Sequence, residues 1–158
     1  MNKSDFYRTL SDQVLAIIDG ENDIIANMAN ISALLFNSLD SVSWAGFYRI
    51  IDQELVLGPF QGKVACIRIP MSKGVCGSAA FENMTQRIDD VHQFSGHIAC
   101  DAQSNSEIVI PITYNNEVIA VLDIDSTEFS RFDQEDQTGL ETIVSLFEHH
   151  IANYGVQN

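Results

Sequence analysis

Residues 107–125, EIVIPITYNNEVIAVLDID, carry the strongest secondary-structure signal in the chain. Two runs rich in Ile and Val flank the dipeptide Asn115-Asn116. β-Branched runs on both sides of an Asn pair predict two antiparallel strands joined by a tight turn. This hairpin predicts a fold built on an antiparallel sheet.

Shorter strand patterns precede this hairpin. Residues 43–51 and 54–57 are strand-like runs on either side of a two-residue polar break, which predicts another hairpin. Residues 65–69 alternate and are stopped by Pro70, which predicts a strand that holds Cys66. A brief strand is also expected at residues 86–88.

Helical spacing of apolar residues predicts helices at both ends of the chain. The first is expected to start at Ser4 as N-cap and to end at Gly20, and the second to begin near residues 21–23. The last begins at residues 132–136, and a short helix over 79–84 follows Cys76. The expected apolar faces are Phe6, Tyr7, Leu10, Val14, Ile17 and Ile18; then Ile25, Met28, Ala29, Ser32, Leu35 and Phe36; then Leu140, Ile143, Val144, Phe147 and Ile151. The pattern indicates an α+β sandwich whose helices pack on one face of the sheet.

Composition narrows the class of protein. The chain has 158 residues, 46% of them hydrophobic, and no apolar run as long as a bilayer span, so we expect one soluble domain over residues 1–158. The N-terminus lacks a secretory or transit signal, which predicts a cytoplasmic location and no membrane partner. A net charge of −14 disfavours nucleic-acid binding. Three widely spaced cysteines predict thiols at rest, with any disulfide transient and catalytic or redox-sensing.

The loop at residues 96–107, GHIACDAQSNSE, is the candidate chemical centre. Most cysteines are buried, but Cys100 lies among polar neighbours that can supply the hydrogen bonds and charge of a reactive thiol. The first interpretation of the other two cysteines, Cys66 and Cys76, is that they are small buried hydrophobic residues. For Cys76 this interpretation is preferred, although the start of a helix would lower the pKa of its thiol. For Cys66 it depends on whether the residue reaches Cys100, which the sequence leaves open.

Three carboxylates and two aromatic residues form the candidate binding surface. Asp123 and Asp125 share one strand face, and Glu107 lies on the neighbouring strand. They are either a solvated face or a group that binds an amine and holds a proton at a raised pKa. Trp44 and Tyr48 also share a strand face, as core residues or as an apolar wall suited to a methyl or thioether group.

Metal and phosphate sites are not expected. His92 and His97 with Cys100 lack the fourth ligand of a closed zinc site. Residues 74–77 lack the Lys-Ser/Thr ending of a phosphate-binding loop.

Taken together, these motifs resemble the free methionine-(R)-sulfoxide reductases, a catalytic branch of the GAF-domain superfamily. The resemblance extends along essentially the whole chain. It is densest at residues 57–66, 74–77, 90–92, 96–101, 104–109 and 121–126. Generic GAF sensor domains lack this set of three cysteines and the Cys-Asp…Ser-Glu loop.

The resemblance implies a six-stranded antiparallel GAF sheet with flanking helices, commonly in a homodimer that the first helix contacts. It implies thiol-dependent reduction of free L-methionine (R)-sulfoxide to L-methionine, with no metal or organic cofactor. Cys100 would attack the sulfoxide sulfur and become a sulfenic acid, and Cys66 would close a disulfide that thioredoxin reduces. Cys76 is a further participant by the same resemblance, since family members differ over which thiol is the nucleophile.

In the same resemblance Trp44 and Tyr48 face the methyl end, while Glu107, Asp123 and Asp125 take the ammonium group and the sulfoxide oxygen. A free amino acid would thereby be distinguished from a peptide-bound residue, whose nitrogen is uncharged. The alternatives are a non-catalytic GAF sensor of a small ligand or of redox state, and a reductase of peptide-bound methionine sulfoxide.

Overall fold

A six-stranded antiparallel sheet forms the centre of the computed structural model, which describes residues 1–154. The strands lie in the order β3-β2-β1-β6-β5-β4. Both predicted hairpins are confirmed, as β1 with β2 and β5 with β6. The strands are β1 Trp44–Ile51, β2 Glu54–Gly62, β3 Arg68–Pro70, β4 Gln86–Ile88, β5 Ser106–Tyr114 and β6 Glu117–Ser126.

Helices cover both faces of this sheet. The helices are α1 Lys3–Ile18, α2 Ile24–Ser38, α3 Gly74–Glu82 and α4 Gln134–Tyr154. The larger core joins α1, α2 and α4 to one sheet face, while α3 packs with Leu55, Val109 and Val121 on the other. The helices from both ends of the chain therefore share one face, as expected, while the short helix α3 covers the other. The near-continuous apolar run of β5 is the reason, because a strand buried on both faces needs apolar side chains on each.

The apolar faces of α1 and α2 differ in part from the predicted ones. Asn2, not Ser4, is the N-cap of α1, and its side chain accepts a hydrogen bond from the Asp5 backbone N–H at 2.8 Å. In α2 the buried positions include Ile24 and Ile31, whereas the predicted Ile25 and Ala29 are exposed. The predicted Ile17 of α1 is also exposed. In α2 both stripes have helical spacing, so periodicity alone could not choose between them.

The third strand is shorter than predicted, and Cys66 lies outside it. Only residues 68–70 of this segment form β3, which pairs with residues 54–56 at the edge of the sheet. Pro70 was expected to lie just beyond the strand, but it is the last residue of the strand. An edge strand can include proline because it tolerates a missing N–H donor. Cys66 therefore belongs to the connection between β2 and β3.

A buried carboxylate fixes the start of α4. Asp133 and Asp136 form a reciprocal cap, in which each side chain accepts from the other residue's backbone N–H at 2.9 Å. Asp136, 1% exposed, also accepts from the Tyr7 hydroxyl and the Lys3 ammonium, both at 2.7 Å. The same side chain thus joins α1 to α4. Among the described helices, none is long and apolar enough to cross a membrane.

Replacing the two acids of this cap should have unequal effects on stability. Asp136→Ala should lower the free energy of unfolding by about 3 kcal/mol, because it leaves the Tyr7 hydroxyl and a backbone N–H without their acceptor. Asp133→Ala should cost about 1 kcal/mol, as for an exposed N-cap. Urea unfolding followed by circular dichroism measures both values. Equal losses of unfolding free energy in the two variants would contradict the role of Asp136 in joining α1 to α4.

Candidate active site

A cavity of about 50 Å³ opens on the α3 side of the sheet. Every predicted site residue except Cys66 lines it: Trp44, Tyr48, Cys76, Cys100, Glu107, Asp123 and Asp125. Its volume has room for a few water molecules. Residues that are far apart in sequence therefore meet at one place, formed by β1, β5, β6, the start of α3 and the loop before β5.

Three carboxyl groups form the floor of this pocket. Glu107 pairs with Asp125 across β5 and β6, and Asp123 lies two residues along the same face. Glu107 and Asp123 are 7% and 5% exposed, and Asp125 is half-buried. The interpretation of these acids as a solvated strand face is therefore wrong.

Burial raises the pKa of all three carboxyl groups. For Glu107 and Asp125 the pKa lies well above its usual value, first because burial disfavours the charged form and then because the Asp123 charge lies close by. Burial also raises the pKa of Asp123, against hydrogen bonds that lower it. Glu107 can thus hold a proton where an exposed glutamate would have lost it, as a general acid must.

Cys76 lies in the first turn of α3, buried, with its Sγ 4.0 Å from Glu107 Oε2. Its pKa is raised well above the usual value, first by burial and then by the charges of Asp123 and Glu107. The expectation that the helix start would lower this pKa is wrong. A helix terminus supplies about 0.3–1 kcal/mol in exposed settings, which cannot offset burial beside carboxylates.

Cys66 and Cys100 are joined in a disulfide, with their Cα atoms 5.4 Å apart. The question that the sequence left open is thereby answered, because the loop carries Cys100 to the connection that holds Cys66. That connection is itself tied to the pocket wall. Tyr48 donates from its hydroxyl to the Cys66 carbonyl at 2.9 Å, and Trp44 donates from Nε1 to the Lys63 carbonyl at 3.1 Å.

Stacked aromatic rings form one wall. The Trp44 ring stacks on Tyr48 at 6.0 Å between centroids and on Phe60 at 5.1 Å. Phe60 does not line the pocket itself but packs against Trp44, and its position depends on Gly46, its partner across β1 and β2. A Cβ at Gly46 would overlap the backbone and Cβ of Phe60, so the strand needs glycine there.

Two buried polar atoms at the pocket have no hydrogen-bond partner within residues 1–154: Ser104 Oγ and Asp123 Oδ1. Buried polar atoms almost always have a partner, so these two indicate where a polar ligand or water binds. Ser104 was not predicted, because its loop has no periodicity that shows which side chains point inward.

The histidines do not form a zinc site with Cys100 in the part of the chain that is described. His97 lines the pocket, whereas His92 Nε2 is 2.8 Å from Asn105 Oδ1. Burial lowers the pKa of His97, and the charge of the nearby His92 lowers it further. A different set, Cys76, Glu107 and Asp123, has ligand atoms within 4.8 Å of one another and could hold a cation.

Comparisons with known proteins agree with this geometry. A family model described as GAF domain matches residues 27–152. The chain is 55% identical over 152 residues to the free methionine-R-sulfoxide reductase of Escherichia coli (strain K12), which is 96% of this chain and 92% of that protein.

Two similar solved structures contain substrate. One is fRMsr of Staphylococcus aureus, with a TM-score of 0.89 and 50% identity over 92% of this chain and 95% of that one. The other is the free methionine-R-sulfoxide reductase of Neisseria meningitidis, with a TM-score of 0.93 and 37% identity over 98% and 93%.

The carboxyl cluster should make stability fall as pH rises. Because the pKa of folded Glu107 lies above its value of 4.5 in the unfolded chain, its contribution is complete below that pH and is lost as pH rises through the raised pKa. Between about pH 5 and about pH 8 the wild type should lose more stability than Glu107→Gln.

Urea unfolding at a series of pH values, with the disulfide intact, measures this difference. Glu117→Gln, an exposed acid at the other end of the hairpin, is the matched control and should follow the wild type. Parallel curves for Glu107→Gln and the wild type would contradict the burial of a titrating Glu107.

Proposed function

This chain belongs to the GAF-domain family and, within it, to the free methionine-R-sulfoxide reductases, and from that premise we propose that it reduces free L-methionine (R)-sulfoxide to L-methionine. One observation carries the proposal. A cysteine that can cycle through a disulfide, Cys100, lines the same small pocket as three carboxyl groups, two of them buried and one half-buried.

In the first step the Cys100 thiolate attacks the sulfoxide sulfur. Glu107, whose raised pKa lets it keep a proton, donates that proton to the sulfoxide oxygen as the S–O bond breaks. The protonated oxygen migrates from the substrate sulfur to Cys100 while the transient bond between Cys100 and the substrate sulfur breaks, which leaves a sulfenic acid on Cys100 and releases methionine with its sulfur reduced by two electrons.

In the second step Cys66 attacks the sulfenic sulfur of Cys100. The S–O bond of the sulfenic acid breaks, water leaves, and the Cys66–Cys100 disulfide forms. The Cα separation of 5.4 Å is within the range that a disulfide spans without backbone movement. Cys76 is the alternative partner, but the burial that raises its pKa keeps it a thiol, which is a weaker nucleophile.

The acids select a substrate with a free amino group. The ammonium group of a free amino acid offsets the negative charge that remains on the carboxyl cluster, and Asp123 Oδ1 gives it an unused acceptor. A peptide nitrogen carries no charge and would leave those carboxyl groups uncompensated. We assign Trp44 and Tyr48 to the methyl end of the substrate, because their stacked rings give the pocket its apolar wall.

Recycling requires a dithiol reductant, and we propose thioredoxin for this role. A disulfide formed once in every turnover must be reduced by exchange with a thiol pair of suitable potential. Such an enzyme works where thiol reductants are maintained, which supports a cytoplasmic location as part of the proposal.

We also propose that the chain acts as a homodimer through α1 and α4. These helices border a groove of about 540 Å³, and Leu15 of α1 is 44% exposed at its edge. A second copy of the same two helices would cover this apolar side chain.

Purified protein should reduce the free R epimer and leave the S epimer nearly untouched. The N-acetylated R sulfoxide should show a kcat/KM lower by about 100-fold, the cost of losing a buried charge partner. Methionine formation with dithiothreitol as reductant, measured for each compound separately, is the assay. Comparable turnover of the N-acetylated compound would remove the role of the acids in amine recognition.

Single-turnover experiments separate the roles of the cysteines. Cys66→Ser should release about one methionine per site, because the first step needs only a nucleophile and an acid. Thioredoxin should then fail to regenerate this variant for a second turnover. Cys100→Ser should release none, since an alcohol is a far weaker nucleophile than a thiolate.

Cys76→Ser is the matched control and should keep both methionine release and recycling. Recycling that is lost in Cys76→Ser and retained in Cys66→Ser would reassign the second step to Cys76.

A further inference from the structure

We propose that the exposed segment of residues 63–68 is the docking surface for the dithiol protein that reduces the Cys66–Cys100 disulfide, and that this reductant attacks Cys66 and not Cys100. The inference rests on the proposed function and adds where the reductant binds and which sulfur it attacks.

The segment exposes apolar side chains on both sides of Cys66. Val64 is 90% exposed and Ile67 is 68% exposed, and neither packs against the two hydrophobic cores of the described chain. Ile67 directly follows the cysteine and lies outside the pocket lining, whereas Val64 lies two residues before the cysteine, at the rim of the pocket. Water-exposed Val and Ile beside a redox-active disulfide are explained by a partner that covers them.

The sequence stretch that holds Cys66 is basic, whereas the whole protein is acidic. The chain carries −14, with eight Lys and Arg residues in total, yet Lys63, Arg68 and Lys73 fall in a stretch of 11 residues without an acid. Arg68 pairs with Glu54 at 2.9 Å. Lys63 bonds the uncharged Gln103, and neither Lys63 nor Lys73 forms an ion pair with a described residue.

A basic and apolar rim on a strongly acidic protein favours one class of occupant. It fits a protein that presents its reactive cysteine within an apolar, acidic surface, because opposite charges steer the encounter and apolar contacts hold it. A second copy of this chain, which carries the same charge of −14, fits less well.

The two sulfurs of the disulfide differ in position. Cys100 lines the substrate pocket and Cys66 does not. The Cys66 backbone is held by the Tyr48 hydroxyl, while its neighbours Val64 and Ile67 are exposed. Both cysteines are half-buried, so their surroundings make the difference: a protein too large to enter the pocket reaches the disulfide from the Cys66 side, where Ile67 lies outside the pocket lining.

Attack at Cys66 gives a balanced exchange. The thiolate of the reductant bonds to Cys66 Sγ, the Cys66–Cys100 bond breaks, and Cys100 leaves as a thiolate that faces the empty pocket. The second thiol of the reductant then loses its proton and attacks its own partner sulfur, which releases Cys66 as a thiolate that takes up a proton. The reductant ends as a disulfide, and this chain gains two electrons and has two reduced cysteines.

An Ile67→Ser variant tests the docking surface without touching the pocket lining. With thioredoxin, thioredoxin reductase and NADPH, its kcat/KM for thioredoxin should fall about five- to tenfold, because an apolar contact is lost. Turnover with dithiothreitol should stay at the wild-type value. Ile25→Ser, an exposed isoleucine of α2 on the other side of the sheet, is the control and should change neither.

A rise in ionic strength from about 0.05 M to about 0.5 M should lower the wild-type kcat/KM for thioredoxin and leave turnover with uncharged dithiothreitol unchanged. An unchanged thioredoxin rate in Ile67→Ser, or an equal loss with both reductants, would overturn the docking surface. Wild-type protein that forms no methionine with dithiothreitol would instead overturn the proposed function.

A trapping experiment tests the attacked sulfur without substrate. The disulfide form is mixed with a thioredoxin whose second active-site cysteine is replaced by serine, so that the mixed disulfide persists. Peptide mapping by mass spectrometry should find thioredoxin linked to Cys66. A link to Cys100, or no link in protein whose disulfide dithiothreitol reduces, would overturn the inference.

Discussion

The pairing of Glu107 with Asp125 across β5 and β6 is the constraint on which the site depends. It places two carboxyl groups side by side, with Asp123 on the same face, where burial disfavours charge. Such a cluster persists only if protons or a bound cation reduce its charge. The raised pKa of Glu107 is therefore a consequence of strand register, and in the proposed reaction the same cluster holds the proton and recognises the ammonium group.

The sequence correctly predicted the helices and strands that have a clear pattern of apolar residues within their own length. The β5–β6 hairpin and α4 have long, regular apolar periods, and the shared face of Asp123 and Asp125 follows from the two-residue repeat of a strand. The errors concern tertiary context. Whether Ile24 or Ile25 of α2 is buried depends on how the helix meets the sheet. The pKa of Cys76 depends on carboxyl groups about 30–50 residues away in sequence, whose burial no local pattern shows.

The position of Cys66 shows a further limit of periodicity. Residues 65–69 alternate, yet only part of this run pairs with β2, and Cys66 stays in an irregular connection. This freedom lets Cys66 meet Cys100 across a sequence separation of 34 residues. The loop that carries Cys100 is fixed at its base, where the Asn105 backbone N–H donates to the Ser126 carbonyl at 2.8 Å and His92 bonds the Asn105 side chain. Cys100 lies between these anchors and the connection that holds Cys66, so one cysteine both lines the pocket and meets Cys66.

The same geometry distinguishes a catalyst from a sensor with this fold. A sensor works best when it can bind its ligand and change its redox state without either event blocking the other. Here the sulfur that forms the disulfide, Cys100, is itself part of the pocket wall, and the disulfide form leaves room for only a few water molecules. Oxidation and ligand binding thus involve the same sulfur. An enzyme requires this arrangement, because the atom that attacks the ligand must touch it, and the oxidised product must be reduced before the next ligand binds. In the proposed reaction the carboxyl groups beside that sulfur, two of them buried and one half-buried, supply the proton and the amine site.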